Sequence, residues 1–483
     1  MQSPPRSSAV NVQNLRRVLY CLLISVAGST WSALSHAGEP DQLIRRGEYL
    51  AKAADCGACH TAAAGKPFAG GLAISSPVGT IYSTNITPSV RFGIGRYTDE
   101  QFARALRRGI RSDGANLYPA MPYTSYSIFT DADVQALYSY FMQGVAPVDA
   151  AGPLTDLPFP MNIRASMVGW NLLFLNKMPF QPDPQQSEAW NRGRYLVQGA
   201  AHCSACHTPR GFLMQEQGNR AFAGGQVGPW YAPNVTSDVN SGIGSWSRDE
   251  LVQYLRAGDA RGKAQAAGSM GEAIEHSFQY LTDADLNAIA TFVHTIPAIH
   301  DPPDQSSRFT IGKASSDLGV LRGRTGIRTD SGDPTGGELF QANCASCHAP
   351  LGQGSQDGYY PSLFSNSVLG SRNPNNLIAA ILNGVNRTTS KGQAYMPGFA
   401  GGPNDLAALS DQEVVLLGNY LLDRYGRPGI NVTAKQVAEV RRGGPSSSLV
   451  TLARVGVATA VAAAALIAVL MIMRARTRNT RIT

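Results

Sequence analysis

The chain has 483 residues, 43% of them apolar and 16% charged, too apolar for a disordered polymer and too polar for an integral membrane bundle, and long enough for about three domains. Its formal charge of +7 sits at the two ends: residues 1–37 carry three arginines and no acid, residues 449–483 carry five more, and the body between is left at −1. That balance removes the electrostatic case for a nucleic-acid or polyanion partner.

At the start of the chain, Arg16 and Arg17 precede an apolar stretch from Val18 to Leu34 that ends at Ser35-His36-Ala37, the three-part pattern of a secretory signal. Residues 1–37 are read as a signal peptide cleaved after Ala37, which also removes Cys21; the short apolar run disfavours a retained N-terminal anchor. The six other cysteines form pairs, Cys56/Cys59, Cys203/Cys206 and Cys344/Cys347, and each pair is followed by a histidine: His60, His207 and His348. C-x-x-C-H is the attachment motif for c-type haem. On one helical turn residues i, i+3 and i+4 share a face, so two thiols can form thioethers with the porphyrin edge while the imidazole reaches the iron. A zinc site or thioredoxin-like redox pairs would compete for a lone C-x-x-C. Three motifs out of three with the histidine, behind an export signal, disfavour both.

The motifs mark a repeat. RGEYLAKAADCGACHT (46–61) recurs as RGRYLVQGAAHCSACHT (192–208) and more distantly as GGELFQANCASCHA (336–349). FAGG follows at 68–71 and 222–225, then GIGRYTDEQFARALRRG (93–109) against GIGSWSRDELVQYLRAG (242–258). Units one and two are duplicates. Each unit closes on a one-faced helix, with Val134/Leu137/Tyr138/Phe141, Leu286/Ile289/Ala290/Val293 and Val414/Leu417/Gly418/Leu421 at helical spacing. Thr130-x-x-Asp133, Thr282-x-x-Asp285 and Ser410-x-x-Glu413 resemble capping boxes at their starts, Asp being the weaker third residue.

Methionine thioether opposite histidine is the expected sixth ligand of an electron-transfer haem. Met396 is the only methionine between His348 and the C-terminal apolar run. Met121 shares its Met-Pro pattern, with Met142 as a rival inside the closing helix. In unit two Met270 takes the place of Met121; Met214 stands too close to His207, and His276 is a possible substitute. His202, His294 and His300 are read as surface or structural residues.

The expected divisions are cytochrome c domains at 40–145, 187–297 and 334–426, linkers at 146–186 and 298–333, and a polar tether at 427–448. Within the first linker, 161–180 is unusually apolar and is read either as packing against units one and two or as a docking surface for a partner or the membrane. Val455 to Met473 runs 19 residues without a charge, so 449–473 is read as a transmembrane helix. Arg474, Arg476, Arg478 and Arg481 follow it, placing the tail 474–483 in the cytoplasm and the body outside. Sequence order puts the third unit next to this anchor, making it the expected membrane-proximal unit.

With GTIYSTNITP (79–88), LYPAMPY (117–123) and CHTPRGF (206–212), residues 40–425 resemble the membrane-bound triheme cytochrome c subunits of bacterial periplasmic dehydrogenases, which serve alcohol, gluconate, sorbitol and aldehyde oxidation. The resemblance implies three covalently bound haems c and electrons accepted from a separate catalytic subunit that uses pyrroloquinoline quinone, flavin or molybdopterin. It further implies delivery to ubiquinone in the inner membrane, with no substrate chemistry on this chain. The expected fold is all-α, three tandem cytochrome c domains plus one C-terminal transmembrane helix. A cytochrome serving a terminal oxidase is the alternative function, and a multihaem peroxidase a more distant one.

Overall fold

The computed structural model describes residues 39–315, 334–403 and 405–479. The expected signal peptide, the end of the second linker and the last four residues lie outside the described residues.

Each sequence unit opens on a helix, Glu39–Ala53, Glu188–Tyr195 and Gly336–Asn343, and closes on another, Asp131–Ser139, Asp283–Val293 and Asp411–Tyr425. The two helices of a unit cross at a glycine. A Cβ on Gly47, Gly193 or Gly336 would run into the carbonyl oxygen of Ala136, Ala288 or Leu416 respectively, so the backbones touch where no side chain could fit. This is the physical content of the repeated glycine ahead of each cysteine motif.

Four two-stranded antiparallel hairpins also stand among the described residues, so the molecule is helix-rich rather than strictly all-α. Ala73–Ser76 pairs with Gly79–Tyr82, and Gly225–Val227 with Trp230–Ala232, in equivalent positions of units one and two. Asp259–Ala260 pairs with Ala264–Gln265, and Val385–Thr389 with Gly392–Met396. Three of these hairpins turn through two residues, two of the turns carrying proline (Pro77-Val78 and Gly228-Pro229), which no helix interior tolerates. In the hairpin, extended chain beside a cavity still pairs its backbone groups.

Units one and two share one apolar core, in which Leu50, Phe129 and Leu137 join Leu196, Ile274 and Leu286. A reciprocal clasp closes it. Arg46 donates to Asp133 (3.0 and 2.6 Å) within unit one, and Tyr195 of unit two donates its hydroxyl to the same carboxylate at 2.5 Å. Arg192 donates to Asp285 (2.8 and 2.7 Å) within unit two, and Tyr49 of unit one donates to that carboxylate at 2.6 Å. Each tyrosine hydroxyl also accepts the backbone N–H of the facing helix cap, Thr130 at 3.3 Å and Thr282 at 3.2 Å. In a closed capping box the third residue would serve that N–H. Asp133 and Asp285 are turned to the clasp instead, and only the threonine half of each box forms. Burial pushes up Tyr49 and Tyr195, with the facing carboxylates adding to it. For Asp285 burial works upward but the hydrogen bonds from Arg192 and Tyr49 outweigh it, holding its carboxyl low.

Unit three keeps a separate core around Phe340, Ile378, Leu417 and Tyr425. It docks on unit two through Asn376, which exchanges hydrogen bonds of 2.8 Å with both backbone groups of Tyr231, and through Arg387, which donates to the carbonyl of Ala266. Residues 427–448 are not a plain tether: they contain the helix Ala434–Arg441, whose Val437 and Val440 are buried with Val432 in the third core.

The C-terminal helix Leu449–Asn479 contains a 27-residue stretch, Leu449–Ala475, apolar enough to cross a membrane, and its apolar window is not buried by the rest of the protein. Its start does not sit on unit three, contrary to the expectation from sequence order. Ser447 N–H reaches Pro77 O (3.4 Å) in unit one, a Cβ on Gly444 would meet the carbonyl of Gly228 in unit two, and Arg454 donates to Phe159 O (2.9 Å) in the first linker. After the helix Ala434–Arg441 the chain crosses from unit three to the hairpin tips of the other two.

Candidate functional site

One continuous cavity of about 2220 Å³ reaches into all three units, larger than the roughly 300–1,000 Å³ of a single-ligand pocket. Cys56, Cys59, Cys203, Cys206, Cys344, the three histidines His60, His207 and His348, and Met121, Met270 and Met396 lie on its wall; Cys347 does not. Met142 and His276, the rival ligands, are absent from it, whereas Met214 and His202 are present.

The cysteine motifs fold as short helical turns, Cys56–His60, Ser204–His207 and Ala345–His348. In units one and two a residue with positive φ, Asp55 (52°) or His202 (37°), separates the turn from the preceding helix and re-aims it. The N–H of His207 bonds Cys203 O and that of His348 bonds Cys344 O, both at 2.9 Å, which puts the first cysteine and the histidine on one face. A glycine N–H then closes on the carbonyl of each histidine: Gly70 on His60 (2.7 Å), Gly224 on His207 (2.7 Å) and Gly354 on His348 (2.9 Å). All three glycines have positive φ, of 72°, 98° and 70°, a conformation that excludes most other residues. This accounts for FAGG in the first two units; a shorter spacing hid Gly354 in the third.

Every motif histidine is held in the same way. The Nδ1 of His60 lies 2.6 Å from Thr84 O, that of His207 2.7 Å from Pro233 O, and that of His348 2.9 Å from Pro361 O. A carbonyl can only accept, so each Nδ1 carries the proton and each Nε2 keeps its lone pair. Burial lowers all three imidazole pKa values, with the carbonyl bonds working the other way, so the rings favour the neutral form that ligates metals. In units one and two the chain beside that carbonyl is itself pinned. Asn85 accepts from Thr87 N–H (2.9 Å) and donates to Val148 O (2.8 Å), and Asn234 accepts from Thr236 N–H (2.9 Å) and donates to Ile299 O (2.8 Å). The start of each linker thus fixes the histidine of the unit before it. The recurring N-x-T string carries this role, which sequence reasoning did not assign.

Four of the thiols are pushed toward the protonated form. Burial, followed by neighbouring negative groups, pushes Cys56, Cys203 and Cys344 up to about 12 and Cys59 up to about 11. Protonated thiols make poor zinc ligands or redox nucleophiles. Among the described residues no three His, Cys, Asp or Glu side chains converge as a metal site.

Arg308 was not foreseen. It is buried on the cavity wall, donates to Ser241 O (2.9 Å) and Asn234 O (3.1 Å), and leaves its Nε without a partner. Burial lowers its pKa to about 10. A buried guanidinium with an unused donor calls for an anion in the cavity. Nothing local in the sequence marks it, because its partners lie 67 and 74 residues earlier. A haem, apolar in its body and carboxylate-bearing at one edge, fits this combination of paired thiols, imidazole lone pairs, thioethers and buried cation. His300 pairs with Asp238 (3.3 Å), and His202 packs its ring edge-on against Tyr126.

A cytochrome c family model matches residues 335–424. The chain is 49% identical over 419 residues to the fructose dehydrogenase cytochrome subunit of Gluconobacter japonicus, covering 86% of each chain. It is 37% identical over 438 residues to the gluconate 2-dehydrogenase cytochrome c subunit of Pantoea cypripedii, covering 87% of this chain and 95% of the relative. Over 426 residues it is 39% identical to the cytochrome c subunit of alcohol dehydrogenase (quinone) of Gluconobacter oxydans, covering 85% and 84%.

Proposed function

The chain belongs to the family of cytochrome c subunits of dehydrogenases, and from that premise we propose that it is the triheme electron-transfer subunit of a periplasmic dehydrogenase, held in the inner membrane by its C-terminal helix. Cys56/Cys59, Cys203/Cys206 and Cys344/Cys347 hold three haems c through thioethers. His60, His207 and His348, together with Met121, Met270 and Met396, would hold the irons of those haems. The three units are tandem cytochrome c domains.

The observation that carries this reading is the shared treatment of the three histidines, each with Nδ1 tied to a carbonyl and Nε2 left with its lone pair on one cavity. When bound, the haems supply one-electron ferric/ferrous chemistry. The protein's own part is to fix each imidazole, to offer a softer thioether on the same cavity, and to hold a buried cation, Arg308, that would face an acidic edge. Electrons come from a catalytic subunit that is a quinoprotein, flavoprotein or molybdoprotein, and they leave for ubiquinone. Units one and two flank the start of the membrane helix and form the side facing the quinone pool. A cytochrome serving a terminal oxidase gains nothing from these features.

The test is a haem count. Acid-acetone treatment of the purified full chain should leave its haem on the protein, and a pyridine haemochrome assay should give three per chain. A count of two, or extractable haem, overturns the assignment.

A further inference from the structure

The helix Ser166–Phe174 in the first linker is built inside out. Its buried residue is polar: Asn171 accepts a hydrogen bond from the Tyr123 hydroxyl at 2.8 Å. Its outward residues are apolar: Val168, Leu172 and Leu173 are 61%, 76% and 69% exposed. Ile163 and Met178 extend the exposed face on either side, and the flanking charges, Arg164 and Lys177, are both positive. Water is a poor partner for such a face.

The fold sets this segment beside the C-terminal helix. Arg454, in the second turn of that helix, donates to the carbonyl of Phe159, seven residues before Ser166. The apolar stretch Leu449–Ala475 would be about 40 Å long at 1.5 Å per residue, against about 30 Å of hydrocarbon. Its first turns therefore have length to spare in the headgroup layer, where Arg454 and Phe159 meet. Trp170, on the same linker helix, donates its indole N–H to Leu213 O (2.9 Å), and Phe212 and Leu213 are themselves exposed. Trp with Leu and flanking basic residues is the make-up of a helix lying in a bilayer interface.

We propose that Ser166–Phe174 is a second membrane contact, lying in the outer interface with Val168, Leu172 and Leu173 in the acyl region and the exposed Lys177 against anionic headgroups, while Arg164 is held inward on Asn116 O and the Tyr118 ring. The proposal rests on the reading of Leu449–Ala475 as a membrane span. Two contacts, one spanning and one lying flat, fix the rotation of units one and two above the bilayer, which a single helix leaves free.

The experiment uses the mature haem-loaded chain, purified without its catalytic subunit, with one new cysteine at a time, the haem cysteines being consumed as thioethers and Cys21 being removed with the signal peptide. The protein is reconstituted in phosphatidylethanolamine/phosphatidylglycerol vesicles and exposed to a charged, water-soluble maleimide. Leu406→Cys, at a position 76% exposed in unit three, should label fully. Leu172→Cys should lose labelling, as should Leu466→Cys in the span. Labelling at Leu172→Cys equal to that at Leu406→Cys would overturn the proposal while leaving the span intact. Protection that arises only on adding the catalytic subunit would assign the face to that protein and overturn it equally. Labelling at Leu466→Cys would defeat the span, and the proposal with it.

Discussion

Units one and two differ from unit three in how they use the same helix cap. In unit three Ser410 accepts from Glu413 N–H (3.2 Å) and Glu413 reaches back to Ser410 N–H (2.8 Å), so the box closes on itself. In units one and two the third residue is aspartate, one methylene shorter, and the orphan cap N–H is served by a tyrosine from the other unit. A self-sufficient cap makes a unit with its own core, whereas an open one makes a pair that completes each other. The duplicated strings R-G-x-Y and T-D-A-D are what the exchange needs. Unit three has neither the arginine nor the tyrosine, and it docks by Asn376 and Arg387 on backbone instead.

The harshest way to break this contrast is at the helix crossing. Gly193→Val forces a side chain into Ala288 O and should cost about 3 kcal/mol or more, overpacking with no room to relax. Because units one and two share a core, hydrogen exchange should accelerate in both and leave unit three near its wild-type rate; acceleration confined to unit two would refute the shared body.

Removing a clasp hydroxyl is gentler. Tyr195→Phe leaves buried Asp133 short of a donor and should cost about 1.5–3 kcal/mol. Tyr49→Phe should cost somewhat less, since Tyr49 is only partly buried. Faster exchange in the helix of the opposite unit, Asp131–Ser139 for Tyr195→Phe and Asp283–Val293 for Tyr49→Phe, is the readout that identifies a cross-unit cap.

Glu413→Ala tests the other side of the comparison. It opens a box that no neighbour can close and should cost roughly 0.3–1 kcal/mol. Faster exchange should stay within the first turn of Asp411–Tyr425, and any effect reaching unit two would mean that the third core is less separate than its packing indicates.

Much of the candidate site is legible in the sequence because its chemistry is local. Cysteine and histidine spacing within one turn, the lone methionine of unit three and the 19-residue uncharged run each state a physical constraint inside a short window. Helix caps and the duplicated unit were readable for the same reason. The hairpins were not expected, since stretches of two to five residues give little periodicity and owe their pairing to the cavity they flank. What only the tertiary structure decided are the meetings across long separations: Tyr49 with Asp285, Arg308 with Asn234, and Ser447 with Pro77. They set which units form one body, which cation faces the cavity, and beside which units the membrane helix begins. No window of sequence contains both partners, and because a chain can pass over a neighbouring unit, order along it does not fix adjacency in space.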